Sequence, residues 1–197
     1  VSAADIAMFG RMLAASPSYN VEAAVQVAHP FTVHAASPET DFFTAVDDLN
    51  RGVEDVGAGH MGETEFGAGL FYLYICVNRE LLETTLNGES GLASKALRAL
   101  VEAAATVAPT GKQSSFASRA YATYIRAEKG DKQPRSLSVA FLKPVYGDEM
   151  HENAVQALEE TAEKMDTSYG NCVDHVAVMD VIKGEGSLAE IQDFVGG

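Results

Sequence analysis

Tryptophan is absent from this chain, and cysteine occurs only twice. Two cysteines cannot build a disulfide framework. Cys76 and Cys172 each sit in an apolar, strand-like run with no CxxC spacing. Both therefore read as buried reduced thiols, as in a cytosolic (cytoplasmic) protein. Long apolar runs are scarce as well. The best of them, Leu70 to Val77, holds eight residues, too few to cross a bilayer as a helix. Cations are few: 14 Lys and Arg stand against 28 Asp and Glu, for a formal charge of −14. That balance excludes indiscriminate binding to nucleic acid, because phosphate affinity comes from Lys and Arg.

The common signatures of catalysis are also thin. The histidines are His29, His34, His60, His151 and His175. The nearest two, His29 and His34, flank Pro30, so no helix carries both on one face, and no metal site is expected. Gly111-Lys112 resembles the end of a phosphate-binding loop but fails twice: Thr106 stands where a glycine is needed, and Gln113 where a Ser or Thr is needed. Ser114, Ser115 and Ser118 have no acid–histidine partner at readable spacing. No cofactor is expected. One acidic group stays open. Asp47 and Asp48, joined by His60 and Glu63, could form the acid–base or metal site of a small enzyme. Adjacent carboxylates on a strand face opposite ways, so such a dyad needs a bend. The same acids also read as a solvated turn, or as a surface for a basic patch on a neighbouring copy.

What the chain does contain is an ample core and a polarised charge. The apolar share is 47% of 197 residues, enough for one domain, or one domain with an appendage. Residues 112–143 carry seven cations against Glu128 and Asp131, a surplus of five. Residues 39–65 carry eight acids against Arg51, an excess of seven. The molecule is thus polarised into a basic segment and an acidic arm. The chain begins at Val1 inside an apolar-periodic segment, and a natural start upstream is expected.

Periodicity predicts strands over 3–13, 21–33, 70–77, 120–128, 136–142 and 173–182. It predicts a short helix or turn over 78–86 and helices over 92–107, 149–165 and 187–194, with Ser90 and Ser187 as N-caps. Pro30 cannot donate to a central ladder, so an edge or a bulge is expected there. Strands outnumber helices and helices follow groups of strands, which favours an α+β fold with an antiparallel sheet, of which a ferredoxin-like arrangement is one. Between Thr44 and Glu63 no period is clear, yet Phe43, Val46, Leu49, Val53 and Met61 are apolar. Such a segment reads as an arm packing on something outside its own core. Phe42 and Phe43 are adjacent, so in an extended arm they face opposite sides, and one is available to stack on a base or a partner.

The wording of DFFTAVDDL and GAGHMGETEFGAGLFYLYICVN, with ADIAMFGRML and VEAAVQVAHPFTVH upstream, resembles the CasC family, the backbone subunit of the type I-E Cascade CRISPR surveillance complex. The resemblance covers most of residues 3–80 and continues weakly at the Gly-Lys-Gln around Lys112. It implies the C-terminal portion of such a subunit, whose fold is a hand. Residues 1–36 and 66–197 would form an RRM-like (ferredoxin-like) palm, and residues 37–65 a projecting thumb. It further implies a non-enzymatic scaffold that polymerises along crRNA, with crRNA, paired target DNA, neighbouring copies and other Cascade subunits as partners. Residue by residue it implies Phe43, Thr44 and Met61 at the bases, Arg11 and Met12 along the RNA path, and Lys112 and Lys143 near the guide backbone. A large unbranched apolar group such as Met61 can act as a wedge between base steps. Phosphate contacts would hold register without reading sequence.

Overall fold

The computed structural model describes residues 3–45 and 60–197. In chain order the elements are α1 (Ala4–Phe9), β1 (Val25–Val27), β2 (Phe31–Thr32), β3 (Glu39–Ala45), β4 (His60–Phe66), β5 (Phe71–Tyr72), β6 (Ile75–Val77), α2 (Arg79–Thr85), α3 (Ser90–Thr106), α4 (Gln113–Phe116), β7 (Tyr124–Lys129), α5 (Met150–Tyr169), β8 (His175–Asp180) and α6 (Leu188–Gly196). All strand pairs among the described residues are antiparallel and two-stranded: β1 with β6, β2 with β5, β3 with β4, and β7 with β8. The expected α+β class with antiparallel pairing is what the chain adopts.

Three of those pairs run end to end as one ribbon. Val25 faces Val77, Phe31 faces Tyr72, and Glu39 faces Phe66. The ladder between the first two blocks shifts by one residue across Pro30, whose missing N–H cannot complete it. This is the interruption expected there. It also explains why the anticipated strand over 70–77 is divided into β5 and β6: the partner strand bulges, and Leu73 and Tyr74 cross the gap. Even so, Ala28 donates to the Tyr74 carbonyl at 2.9 Å, and Val33 to the Leu70 carbonyl at 2.9 Å, so the two blocks stay close.

Two predicted strands are not strands. Residues 4–9 form α1, because Ala4, Ala7 and Met8 fall at helical spacing and pack into the core, with Ala7 and Met8 buried. Gly10, at φ +76°, ends it by donating to the Ile6 carbonyl at 2.9 Å. Within 136–142, residues Ser138–Phe141 make a 3₁₀ turn. There the Leu137 N–H is taken by the Tyr72 hydroxyl at 3.0 Å, and the Ser138 N–H by Ser136 Oγ at 3.3 Å. Side-chain acceptors thus replace a ladder. Ser90 opens α3 from inside the helix, and Glu89 holds the cap position. Ser187 does cap α6, accepting from the Glu190 N–H at 3.2 Å while its hydroxyl donates to the Glu190 carboxylate at 3.1 Å.

Among the described residues the core has three clusters. In the first, α1, β1, α2 and α3 close over Leu82, Leu86, Ala93 and Leu97. The second and third, around Val33, Val145 and Ala154 and around Leu137, Leu158 and Ala162, share Tyr72 and Phe141. Helix α6 packs on both α3 and the β7–β8 pair. It is tied to α3 by an Arg98–Asp193 ion pair and by the Ser94 hydroxyl, which donates to the Gly196 carbonyl at 2.6 Å. Its Ile191 is fully buried. Ile191→Ala should therefore cost about 2–5 kcal/mol of stability, read as a lower urea midpoint at unchanged slope.

Candidate nucleic-acid interface

The arm is a hairpin ribbon over 39–45 and 60–66, where no periodicity was legible beyond Thr44. Its register sets two faces. Phe43 lies opposite Gly62, Asp41 opposite Thr64, and Glu39 opposite Phe66. Phe42 lies opposite Glu63, and Thr44 opposite Met61, on the other side. Phe42 and Phe43 do face opposite ways. So do Phe43 and Met61, which stand on different faces of the ribbon. The ring of Phe43 lies on Gly62 so closely that a Cβ there would sit 2.6 Å from its Cζ. Aromatic cover of a strand glycine stabilises the pairing that the glycine alone would weaken. Phe42 and Met61 are 60% and 63% exposed, and Phe43 41%, so none is sealed in a core.

Of the carboxylate–imidazole set, Asp47 and Asp48 lie outside the described residues, and His60 enters only through its backbone pairing with Ala45. Glu63 is exposed, opposite Phe42. Among the described residues no cluster of His, Cys, Asp and Glu is placed to hold a metal.

Arg11 and Met12 come together at a second place. Arg11 pairs with Val21 through two backbone hydrogen bonds of 2.9 Å. Its guanidinium donates to the Tyr19 carbonyl from Nε at 3.1 Å and from Nη2 at 2.8 Å. Met12 is 84% exposed. Both border an open groove of about 600 Å³ whose wall also includes Phe9, Asn20 and Glu22. Lys112 and Lys143 are exposed on separate loops.

The basic segment is less available than its charge implied. Arg126 binds Glu128 at 2.8 Å and Glu159 at 2.5 Å. Arg135 binds Glu128 at 3.0 Å and Asp166 at 2.9 Å. Both guanidinium groups are nearly covered. Lys132 donates to the Asn171 carbonyl, and Lys129 lies over the Phe194 ring at 5.0 Å. Of the seven cations, Arg126 and Arg135 are thus engaged inside the fold, Lys129 is half-buried against a ring, and Lys132 stays exposed while bonded to a backbone carbonyl. The spacing of Arg126 and Glu128, two apart on one strand face, was the signal that could have shown part of this; Glu159 and Asp166 on α5 gave none.

The sequence pattern of the CT1975-like protein family matches residues 1–193. The chain belongs to the CT1975-like family. This CT1975-like chain is also similar to solved chains. One is described as "CRISPR RNA-guided surveillance complex, pre-nicking", with TM-score 0.83 and 32% identity, covering 99% of this chain and 55% of that one. Another is described as "CRISPR RNA-guided surveillance complex", with TM-score 0.80 and 33% identity, covering 98% of this chain and 77% of that one. The chain spans about half the length of the first of these. No curated protein matches. These likenesses agree with the resemblance to a Cascade backbone subunit carried by residues 3–80.

In the CT1975-like fold the arginine–carboxylate network has a pH signature. Burial alone would raise the Glu128 carboxyl, but hydrogen bonds and charge from Arg135 and Arg126 hold it below its ordinary value. The Cys172 N–H, with Arg135, does the same for Asp166. Both groups are depressed on folding, so their stabilisation is complete above the unfolded values of about 4.3 and 3.9. It is lost as pH falls through the folded values. Thermal unfolding should therefore shift little between roughly pH 7 and 5 on account of these groups and decline below about pH 4. Glu128→Gln should lower stability at pH 7 by about 1–3 kcal/mol and flatten the acid decline. An unaltered acid limb in that variant would remove Glu128 from the account.

Proposed function

We propose that this chain is the C-terminal portion of a guide-RNA-binding backbone subunit of a type I-E-like CRISPR surveillance complex, and that it acts without catalysis. In this reading residues 37–65 are the thumb, and residues 1–36 and 66–197 belong to the palm. Copies polymerise along crRNA in the cytoplasm beside other Cascade subunits, and the thumbs kink guide–target pairing at regular intervals. The observation that carries this is the β3–β4 ribbon, which holds Phe42, Phe43 and Met61 out of any core, in a chain similar to surveillance-complex chains along 99% of its length. Apolar groups on a coreless ribbon need an outside partner, and unstacked bases or the next copy provide one.

The roles proposed are those the family resemblance implies. Met61, with Phe42 and Thr44 on its face, is the wedge against a base step, and Phe43 works from the other face. Met12 packs along the RNA path. Arg11 keeps donors beyond the two bound to Tyr19 and meets phosphate with them. Lys112 and Lys143 contact the guide backbone. With Arg126 and Arg135 of the basic segment engaged internally, each copy neutralises few phosphates, and strength comes from repetition along the polymer. Among the described residues no helix is long and apolar enough to cross a membrane, which accords with this reading.

The full-length protein purified from cells should carry RNA, released as salt rises. Phe43→Ala and Met61→Ala should each weaken target-duplex formation by about tenfold, the scale of one stacking contact, and leave guide binding within about twofold. Gel-shift titrations with guide alone and with guide plus target measure both. Equal losses in the two assays would remove the wedge role, and protein free of RNA would remove the scaffold reading.

A further inference from the structure

The ribbon ladder is interrupted at the root of the arm, between the Val33–Leu70 hydrogen bond and the Glu39–Phe66 pair. Across that gap the His34 imidazole accepts the Leu70 N–H at Nε2, 3.1 Å, and its Nδ1 meets the Ala35 carbonyl at 2.9 Å. Gly67 and Ala68 in the gap are exposed. A ribbon joined to its base through so short a bridge needs another contact to fix its angle. That contact is aromatic. Phe66, the last residue of β4, meets Phe116, the last residue of α4, with ring centroids 6.2 Å apart at 38°.

The loop that presents Phe116 is held in one shape. Lys112 and Ala117 bracket α4, and both are non-glycine residues at positive φ, +57° and +47°. Such residues persist only where their surroundings over-determine them. Gln113 does this: its amide donates to the Pro109 carbonyl and to the Ser118 carbonyl at 3.0 Å, closing the loop on itself.

We propose that loop 109–118 is a strut that sets the angle of the arm, with Phe116 as the positioning residue. The ribbon register gives the strut a direction. Phe66 shares its face with Phe43 and Gly62, while Phe42, Thr44 and Met61 occupy the other. Holding Phe66 therefore turns the Met61 face away from the loop. Phe66 and Phe116 are each less than half exposed, at 42% and 44%. An aromatic pair of this kind biases an orientation by roughly two- to tenfold, enough to aim the arm without locking it. Lys112 starts the same stitched loop, so a backbone phosphate bound there acts on the strut. This last link rests on the scaffold reading above; the contact itself does not.

Because the chain lacks tryptophan, Phe116→Trp introduces a single indole at the contact. In the protein as it stands, adding Phe66→Ala to Phe116→Trp should shift the indole emission to the red and raise its quenching by acrylamide, at unchanged far-ultraviolet dichroism. Unchanged emission and quenching would overturn the contact, whatever the protein binds. In the full-length protein with guide bound, Phe116→Ala should weaken target-duplex formation two- to tenfold, with guide affinity held and Phe116→Tyr restoring the loss. A loss in both assays, or in neither, would overturn the strut. Should the parent hold no guide, the scaffold reading fails, and the indole measurement alone decides the contact.

Discussion

Residues 39–45 and 60–66 are held to each other by antiparallel backbone hydrogen bonding. A two-stranded ribbon has two faces and no interior, and alone in water it is marginal. Its apolar side chains therefore cannot be explained by its own packing. Everything unusual about the arm follows: the ring of Phe43 laid on Gly62, the exposure of Met61 and Phe42, and the reliance on a contact at the root. The rest of the chain supplies what the ribbon lacks, because β1–β2 and β5–β6 run on from it into packed clusters.

Electrostatics is arranged to the same end. Among the described residues, part of the basic segment is held by carboxylates of the same chain. Arg126 and Arg135 knit β7 to α5 and the loop before it through Glu128, Glu159 and Asp166, and Lys129 and Lys132 serve the same neighbourhood. A count of charges along 112–143 mistook this internal network for surface. Charge in a sequence is a sum, whereas availability depends on partners brought from distant positions, and both partners on α5 lie more than thirty residues beyond Arg126.

Legibility tracked the range of the interactions. The helices over 78–86, 92–107, 149–165 and 187–194 were readable because their apolar stripes are local, as is the Ser187 cap of α6. The break at Pro30 was readable from one missing N–H. The segment 3–13 was misread because Ala and Met suit strand and helix alike, and the packing of Ala7 and Met8 decided. The segment 136–142 was misread because the Tyr72 hydroxyl, sixty-five positions away, takes the N–H that a ladder would use. The ribbon itself was missed beyond Thr44, since strands exposed on both faces carry no alternation. What marked this segment in the sequence was the wording shared with a known family and its apolar residues without a clear period; the structure pairs its ends as β3 and β4.

The paired register has a consequence for how such arms can diversify. Adding one residue to each strand would rotate the tip by half a turn of the pleat and present Phe43-like positions where Met61-like ones stood. Only additions of two per strand preserve the aim. Two residues per strand lengthen the ribbon by about 7 Å, so the pleat of the backbone sets the step in which its length can change without turning its faces.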